Sequence, residues 1–114
     1  MAIIYHNPRC SKSRQTLELL KSRDIEPDVV LYLETPLSAE TIDDLLKKLG
    51  ISAKELLRKG EQAYKDHNLA DQGLGEEQLI AAMVESPKLI ERPIVVNGDR
   101  ARIGRPPEQV LEIF

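Results

Sequence analysis

The segment from Ile3 to Tyr32 constrains the fold most. Ile3-Ile4-Tyr5 is a short apolar strand pattern, stopped by His6-Asn7-Pro8. A helical pattern follows from Ser11 to about Arg23, with Thr16, Leu17 and Leu20 at helical spacing. Asp28 to Tyr32, entered through Glu26-Pro27, reads as a second, buried strand. Two strands joined through a helix pair in parallel, because a parallel connection has to cross back over the sheet.

The middle of the chain is helical. Ser38 caps a helix whose Ile42, Leu45, Leu46 and Leu49 fall on one face, with Gly50 as its stop. Ser52-Ala53-Lys54-Glu55 is a capping box leading into Leu56-Leu57. Further helices are predicted from Gln62 to His67 and from near Gly75, the latter closed by Ser86-Pro87. After Pro93, Ile94-Val95-Val96 is a strand, Asn97-Gly98 marks a turn, and Ala101 to Ile103 return. Pro106-Pro107 open a last helix. The predicted fold is α/β and thioredoxin-like: a mixed four-stranded sheet with a helical insertion before the third strand, as a single domain over residues 1–114.

The chain of 114 residues holds one cysteine, Cys10, so it can form no internal disulfide, CxxC pair or cysteine-rich zinc site. Its two histidines and one cysteine lack metal-ligand spacing, so no metal and no tightly bound cofactor are expected. A net charge of −3 argues against a general nucleic-acid or membrane binder. No basic region precedes a long apolar run near the N-terminus, and no apolar run suggests a span. A cytoplasmic monomer is expected.

Cys10 stands between the first strand and the first helix, where free backbone N–H groups and the helix dipole favour a thiolate. Arg9, Lys12 and Arg14 add positive charge, and Arg14 lies one turn beyond Cys10 on the same face. The same donors suit an incoming oxyanion. A free cysteine can equally be a small buried hydrophobe; the neighbouring cations favour the nucleophile. Singly, Arg9 and Lys12 read as solvated surface charges.

Spacing excludes two related chemistries. A tyrosine-phosphatase-like loop needs an arginine where Thr16 stands, and a dithiol oxidoreductase needs a cysteine where Ser13 stands. Ser13 can donate to the thiolate but cannot resolve a mixed disulfide, so the chemistry is monothiol. His6 either orients or deprotonates the thiol or is structural. His67 reads as a surface residue. Arg58, Arg92 and Arg105 each read, taken alone, as surface or helix-terminal cations.

Several segments together resemble the glutaredoxin-dependent arsenate reductase (ArsC) family, and within it the short YfgD-type members. They are Tyr5-His6-Asn7-Pro8-Arg9-Cys10 with Ser13-Arg14, Leu31 to Pro36, Glu55 to Lys59, Glu91 to Val96, Arg105 to Glu108, and Val110 to Ile113. They run in order over nearly the whole chain. The resemblance implies a cis proline at Pro93 beside the cysteine loop, Cys10 as nucleophile, and Arg58, Arg92 and Arg105 as oxyanion ligands. It also implies that His6 lowers the thiol pKa and Ser13 assists, with glutathione as co-substrate and glutaredoxin as partner. The chain departs from better-studied members by Ser11-Lys12 in place of Gly-Thr, and by ending soon after Ile113. The implied activity is reduction of arsenate to arsenite. Two other readings share the loop: an Spx-like regulator binding RNA polymerase, against which Ser13 argues, and a glutathione-dependent reductase of another oxyanion.

Overall fold

The computed structural model describes residues 2–71 and 73–114. Its backbone falls into two compact units, Met1–Thr35 with Arg92–Phe114, and Pro36–Glu91. In the first unit, β1 (Ala2–Tyr5), β2 (Asp28–Val30), β3 (Ile94–Asn97) and β4 (Arg100–Ile103) form a four-stranded sheet in the order β2-β1-β3-β4. β1 pairs parallel with β2 and antiparallel with β3, and β3 pairs antiparallel with β4. With α1 (Ser11–Ser22) crossing between β1 and β2, this is the thioredoxin-like arrangement predicted from sequence.

The core of this unit gathers Ile4 from β1, Leu20 from α1, Val95 from β3, and Val110 and Ile113 from the C-terminal 3-10 helix Pro107–Ile113. Complete burial of an aliphatic side chain of this size contributes about 1.5–3 kcal/mol, so these few side chains tie sheet and helices together.

The second unit carries α2 (Ala39–Leu49), α3 (Ala53–Leu56), α4 (Gln62–Asp66) and α5 (Glu76–Glu85). Ser38 accepts from the Thr41 N–H at the start of α2, and Gly50 closes it in the left-handed region with φ 71°. The Ser52–Glu55 capping box starts α3. Ile42, Leu45 and Leu46 of α2, Leu56 of α3, and Leu79, Ile80 and Met83 of α5 are buried. No helix among the described residues is long and apolar enough to cross a membrane.

Three expectations are revised. β2 is an edge strand, not a buried one: it ends at Val30, and Val29 is 47% exposed. The chain turns instead at Leu31 to Thr35, and Tyr32 is the buried residue there. The hairpin turn is Gly98-Asp99, because Asn97 pairs with Arg100 inside the ladder. Gly98 takes the positive φ of 65°, while the Asn97 amide donates to the Ile113 carbonyl at 2.6 Å and ties the C-terminal helix to β3. His67 is half-buried, its Nε2 within 3.1 Å of Ser86 Oγ.

Gly104 is the contact that brings the residue after β4 against the middle of α1. A Cβ there would stand 2.5 Å from Thr16 Oγ1 and 2.9 Å from Pro93 Cγ. Its N–H donates to the Pro93 carbonyl at 2.9 Å. The Gly104→Ala variant is therefore expected to lose about 1–3 kcal/mol, the usual range for forcing extra volume into a packed site. Urea unfolding followed by far-ultraviolet circular dichroism measures it, and wild-type stability would contradict the packing described.

Candidate active site

Cys10 is the N-cap residue of α1, with extended backbone at φ −93° and ψ 123°. The loop before it is held by its own polar groups. The Cys10 N–H donates to the Asn7 carbonyl at 3.0 Å, and the Arg9 N–H donates to Asn7 Oδ1 at 3.0 Å. Such local bonds are what Asn offers at turns and helix starts. Arg14 closes the loop from the helix side, its Nη1 donating to the Pro8 carbonyl at 2.8 Å.

Ser13 and His6 form a second clamp. Ser13 Oγ accepts from the Asn7 N–H at 3.0 Å and lies 2.6 Å from His6 Nδ1. His6 is only 6% exposed, and its N–H donates to the Val30 carbonyl at 2.9 Å. Burial, then the charges of Arg14 and Lys21, hold the His6 imidazole below its ordinary pKa of 6.5. The neutral ring is thereby favoured, and its Nδ1 shares a hydrogen with the Ser13 hydroxyl, whose oxygen also accepts from the Asn7 N–H.

Cys10 is 8% exposed. Burial is the largest single influence on the thiol and works against ionisation, yet the opposing effects outweigh it. The Ser13 N–H, the Arg92 charge, the Lys12 N–H and a hydrogen bond from Arg92 together place the thiol below its ordinary value of 9.0. Lys12 and Ser13 are the second and third residues of α1, whose N–H groups have no partner within the helix. The thiol makes no capping hydrogen bond of standard geometry. The two amides therefore act mainly on the charged form.

Arg92 and Arg105, distant in sequence, also reach the sulfur. Both precede cis prolines, Pro93 and Pro106. Arg105 Nη2 lies 3.7 Å from Cys10 Sγ, and its Nε donates to the Arg92 carbonyl at 2.8 Å. Arg92 Nε is buried and has no hydrogen-bond partner among the described residues. The structure thus gathers His6, Cys10, Ser13, Arg14, Arg92 and Arg105 around one loop. Arg58 belongs to the other unit, where its guanidinium meets Glu61 at 2.5 Å and Glu91 at 3.9 Å.

Sequence reasoning did not single out Asn7, whose main chain and side chain both brace the loop, or the second cis bond at Arg105–Pro106. Asn7-Pro8 and Arg105-Pro106-Pro107 carried the signals, since Asn before Pro starts turns and only X–Pro bonds are commonly cis. Among the described residues, no group of three or more His, Cys, Asp and Glu side chains could hold a metal ion.

Two outcomes are expected. The midpoint of pH-dependent alkylation of Cys10 falls below 9.0, and Arg92→Met moves it upward; an unmoved midpoint would remove Arg92 from the thiolate's surroundings. Because the folded pKa of His6 is depressed, the unfolded chain binds the proton more readily below pH 6.5. Stability linked to His6 is then present above that value and declines as pH falls through it. His6→Asn should flatten this part of a pH series of urea midpoints, and an unchanged slope would contradict a neutral His6.

The ArsC family model matches residues 5–113. The chain is 68% identical over 111 residues to the uncharacterized protein YfgD of Escherichia coli strain K12, covering 96% of this chain and 93% of that protein. It is 50% identical over 113 residues to an arsenate reductase of Haemophilus influenzae, covering 98% and 97%. The solved structure of an arsenate reductase from Vibrio cholerae superposes with a TM-score of 0.97 at 54% identity, covering 99% of this chain and 97% of that one. A cysteine-capped helix in a thioredoxin-like sheet, matched along nearly its whole length, makes this chain a member of the ArsC family.

Proposed function

We propose that this protein is an arsenate reductase in which Cys10 is the sole protein nucleophile. The observation that carries the reading is the pairing of a thiolate-favouring helix cap with two guanidinium groups at the same sulfur. The thiolate supplies the nucleophile and the guanidinium groups suit a tetrahedral oxyanion with charge spread over its oxygens. The buried Arg92 Nε supports the same reading, because a buried donor without a protein partner is costly unless something else takes its hydrogen.

Cys10 Sγ attacks arsenic and an arsenate oxygen leaves as water, giving a sulfur–arsenic bond. A glutathione thiolate then attacks Sγ. The sulfur–arsenic bond breaks, and its electron pair stays on arsenic, which passes from As(V) to As(III) and leaves as arsenite. The two sulfurs are oxidised to a mixed disulfide between Cys10 and glutathione. Glutaredoxin reduces that disulfide, since Cys10 is the only cysteine in the chain. Arg92 and Arg105 stabilise the negative charge through the first two steps. His6 and Ser13 keep the loop in the shape that aims the helix N–H groups at the sulfur. Arg14 does the same from Pro8.

Arsenate, glutathione and glutaredoxin added to the protein should yield arsenite. Cys10→Ser should reduce turnover to background, and Arg105→Ala should lower kcat/KM for arsenate by about 100-fold, as removal of one oxyanion donor commonly does. Arsenite formation by Cys10→Ser equal to that of the wild type would rule the mechanism out. Turnover with a different oxyanion at far higher kcat/KM would transfer the same chemistry to that substrate.

A further inference from the structure

Asn7 has no part in the reaction proposed above, yet three hydrogen bonds of the cysteine loop end on it. Its carbonyl accepts from the Cys10 N–H, its Oδ1 accepts from the Arg9 N–H, and its own N–H donates to Ser13 Oγ, each at 3.0 Å. We infer that Asn7 is a positioning residue for the nucleophile: its side chain fixes the orientation of the Pro8–Arg9 peptide, and through it the direction in which Cys10 presents its sulfur to the first amides of α1. For the reaction the inference rests on the monothiol reading above; for the geometry of the thiol it stands without it.

Residues 7–10 form a turn closed by the Cys10 N–H on the Asn7 carbonyl, with Pro8 and Arg9 at its centre. Asn is favoured at the first position of such a turn and Pro at the second. Turns closed in this way differ in the orientation of their central peptide, and the flipped form needs a positive φ at the third residue. Among the described residues, those other than glycine with positive φ are Asp24 and Asn68, so Arg9 keeps the unflipped form. Side chains hold both ends of that central peptide. Asn7 Oδ1 takes its N–H at 3.0 Å, and Arg14 Nη1 donates to its carbonyl at 2.8 Å.

Cys10 follows directly, with extended backbone, as the N-cap of α1. A rotated Pro8–Arg9 peptide would turn the chain that enters this cap, and with it the bond that carries the sulfur. The Asn7 N–H adds a second tie, because Ser13 supplies both the Oγ that accepts it and an amide that faces the sulfur. Asn7 thus joins the turn before Cys10 to the helical turn after it. Asn suits the place because its side chain reaches the backbone two residues on; Ser does the same more weakly, and Ala not at all. Asn7 is neutral, and the guanidinium groups at the sulfur, Arg92 and Arg105, come from other segments. A neutral replacement at Asn7 therefore reaches the thiol through geometry and leaves those charges in place.

The pH midpoint of Cys10 alkylation and the kinetics with arsenate are measured for the full-length wild type, Asn7→Ala and Asn7→Ser, alongside their urea midpoints. Asn7→Ala is expected to raise the alkylation midpoint and to lower kcat/KM for arsenate about tenfold, within the hundredfold that about 1 Å of misplacement can cost. Asn7→Ser, which keeps a shorter acceptor, should recover part of both losses. An unmoved alkylation midpoint in Asn7→Ala would overturn the inference whatever the urea midpoint does, since Asn7 would then serve stability alone. A loss that Asn7→Ser does not lessen would overturn it too. A raised midpoint in a protein that turns over no arsenate would support the inference while removing arsenate as the substrate.

Discussion

The chemistry of this chain depends on a single local fact: a sulfur instead of an oxygen stands at the N-cap of α1, beside the helix's first free N–H groups. A helix start leaves several donors unsatisfied and carries partial positive charge, so whatever stands at the cap is drawn toward its anionic form. Ser, Thr, Asp or Asn usually takes that place. A cysteine exploits the same field less well as a neutral thiol, and better as a thiolate. Everything around it serves this difference. Burial would by itself keep the thiol protonated, so the amides of Lys12 and Ser13 and the guanidinium of Arg92 have to prevail against desolvation.

That balance places strict demands on backbone geometry, and the polar side chains of the loop meet them. His6, Ser13 and Asn7 form a buried chain of hydrogen bonds in which each group takes a complementary role. Burial and the charges of Arg14 and Lys21 favour the neutral ring at the inner end of this chain. Arg14 illustrates the same division of labour. Spacing alone suggested a cation for the oxyanion, while its Nη1 is committed to the Pro8 carbonyl, where it braces the loop.

The strands, the capped helices and the placement of Cys10 were legible in sequence because they depend on short-range rules. Alternating and periodic apolar residues, Ser38 and Ser52 as caps, and Gly50 as a stop act over a few positions. The hairpin slipped by one residue because Asn97 satisfies the turn signal equally well as a strand residue, and its bond to Ile113 decides between them. Burial of β2 was misread for a similar reason. Asp28-Val29-Val30 has the composition of an inner strand, but strand order puts it at the edge, and order is a property of the whole sheet. The roles of Arg92 and Arg105 were the least legible. Neither arginine is within 80 residues of Cys10, and they meet it through Gly104, which lets β4 end against Thr16 and Pro93.

Closeness of that packing has a chemical consequence. The Nε of Arg105 is held by the Arg92 carbonyl, so its Nη2 is presented to the sulfur from a fixed base. A guanidinium anchored at one edge loses less side-chain freedom when an oxyanion arrives than one swinging from solvent would. Electrostatic stabilisation of this kind is effective because its donors are already oriented before charge develops. Gly104, which touches no reacting atom, thereby bears on where Arg105 stands in the proposed reaction, as Ser13 bears on the loop that holds Cys10.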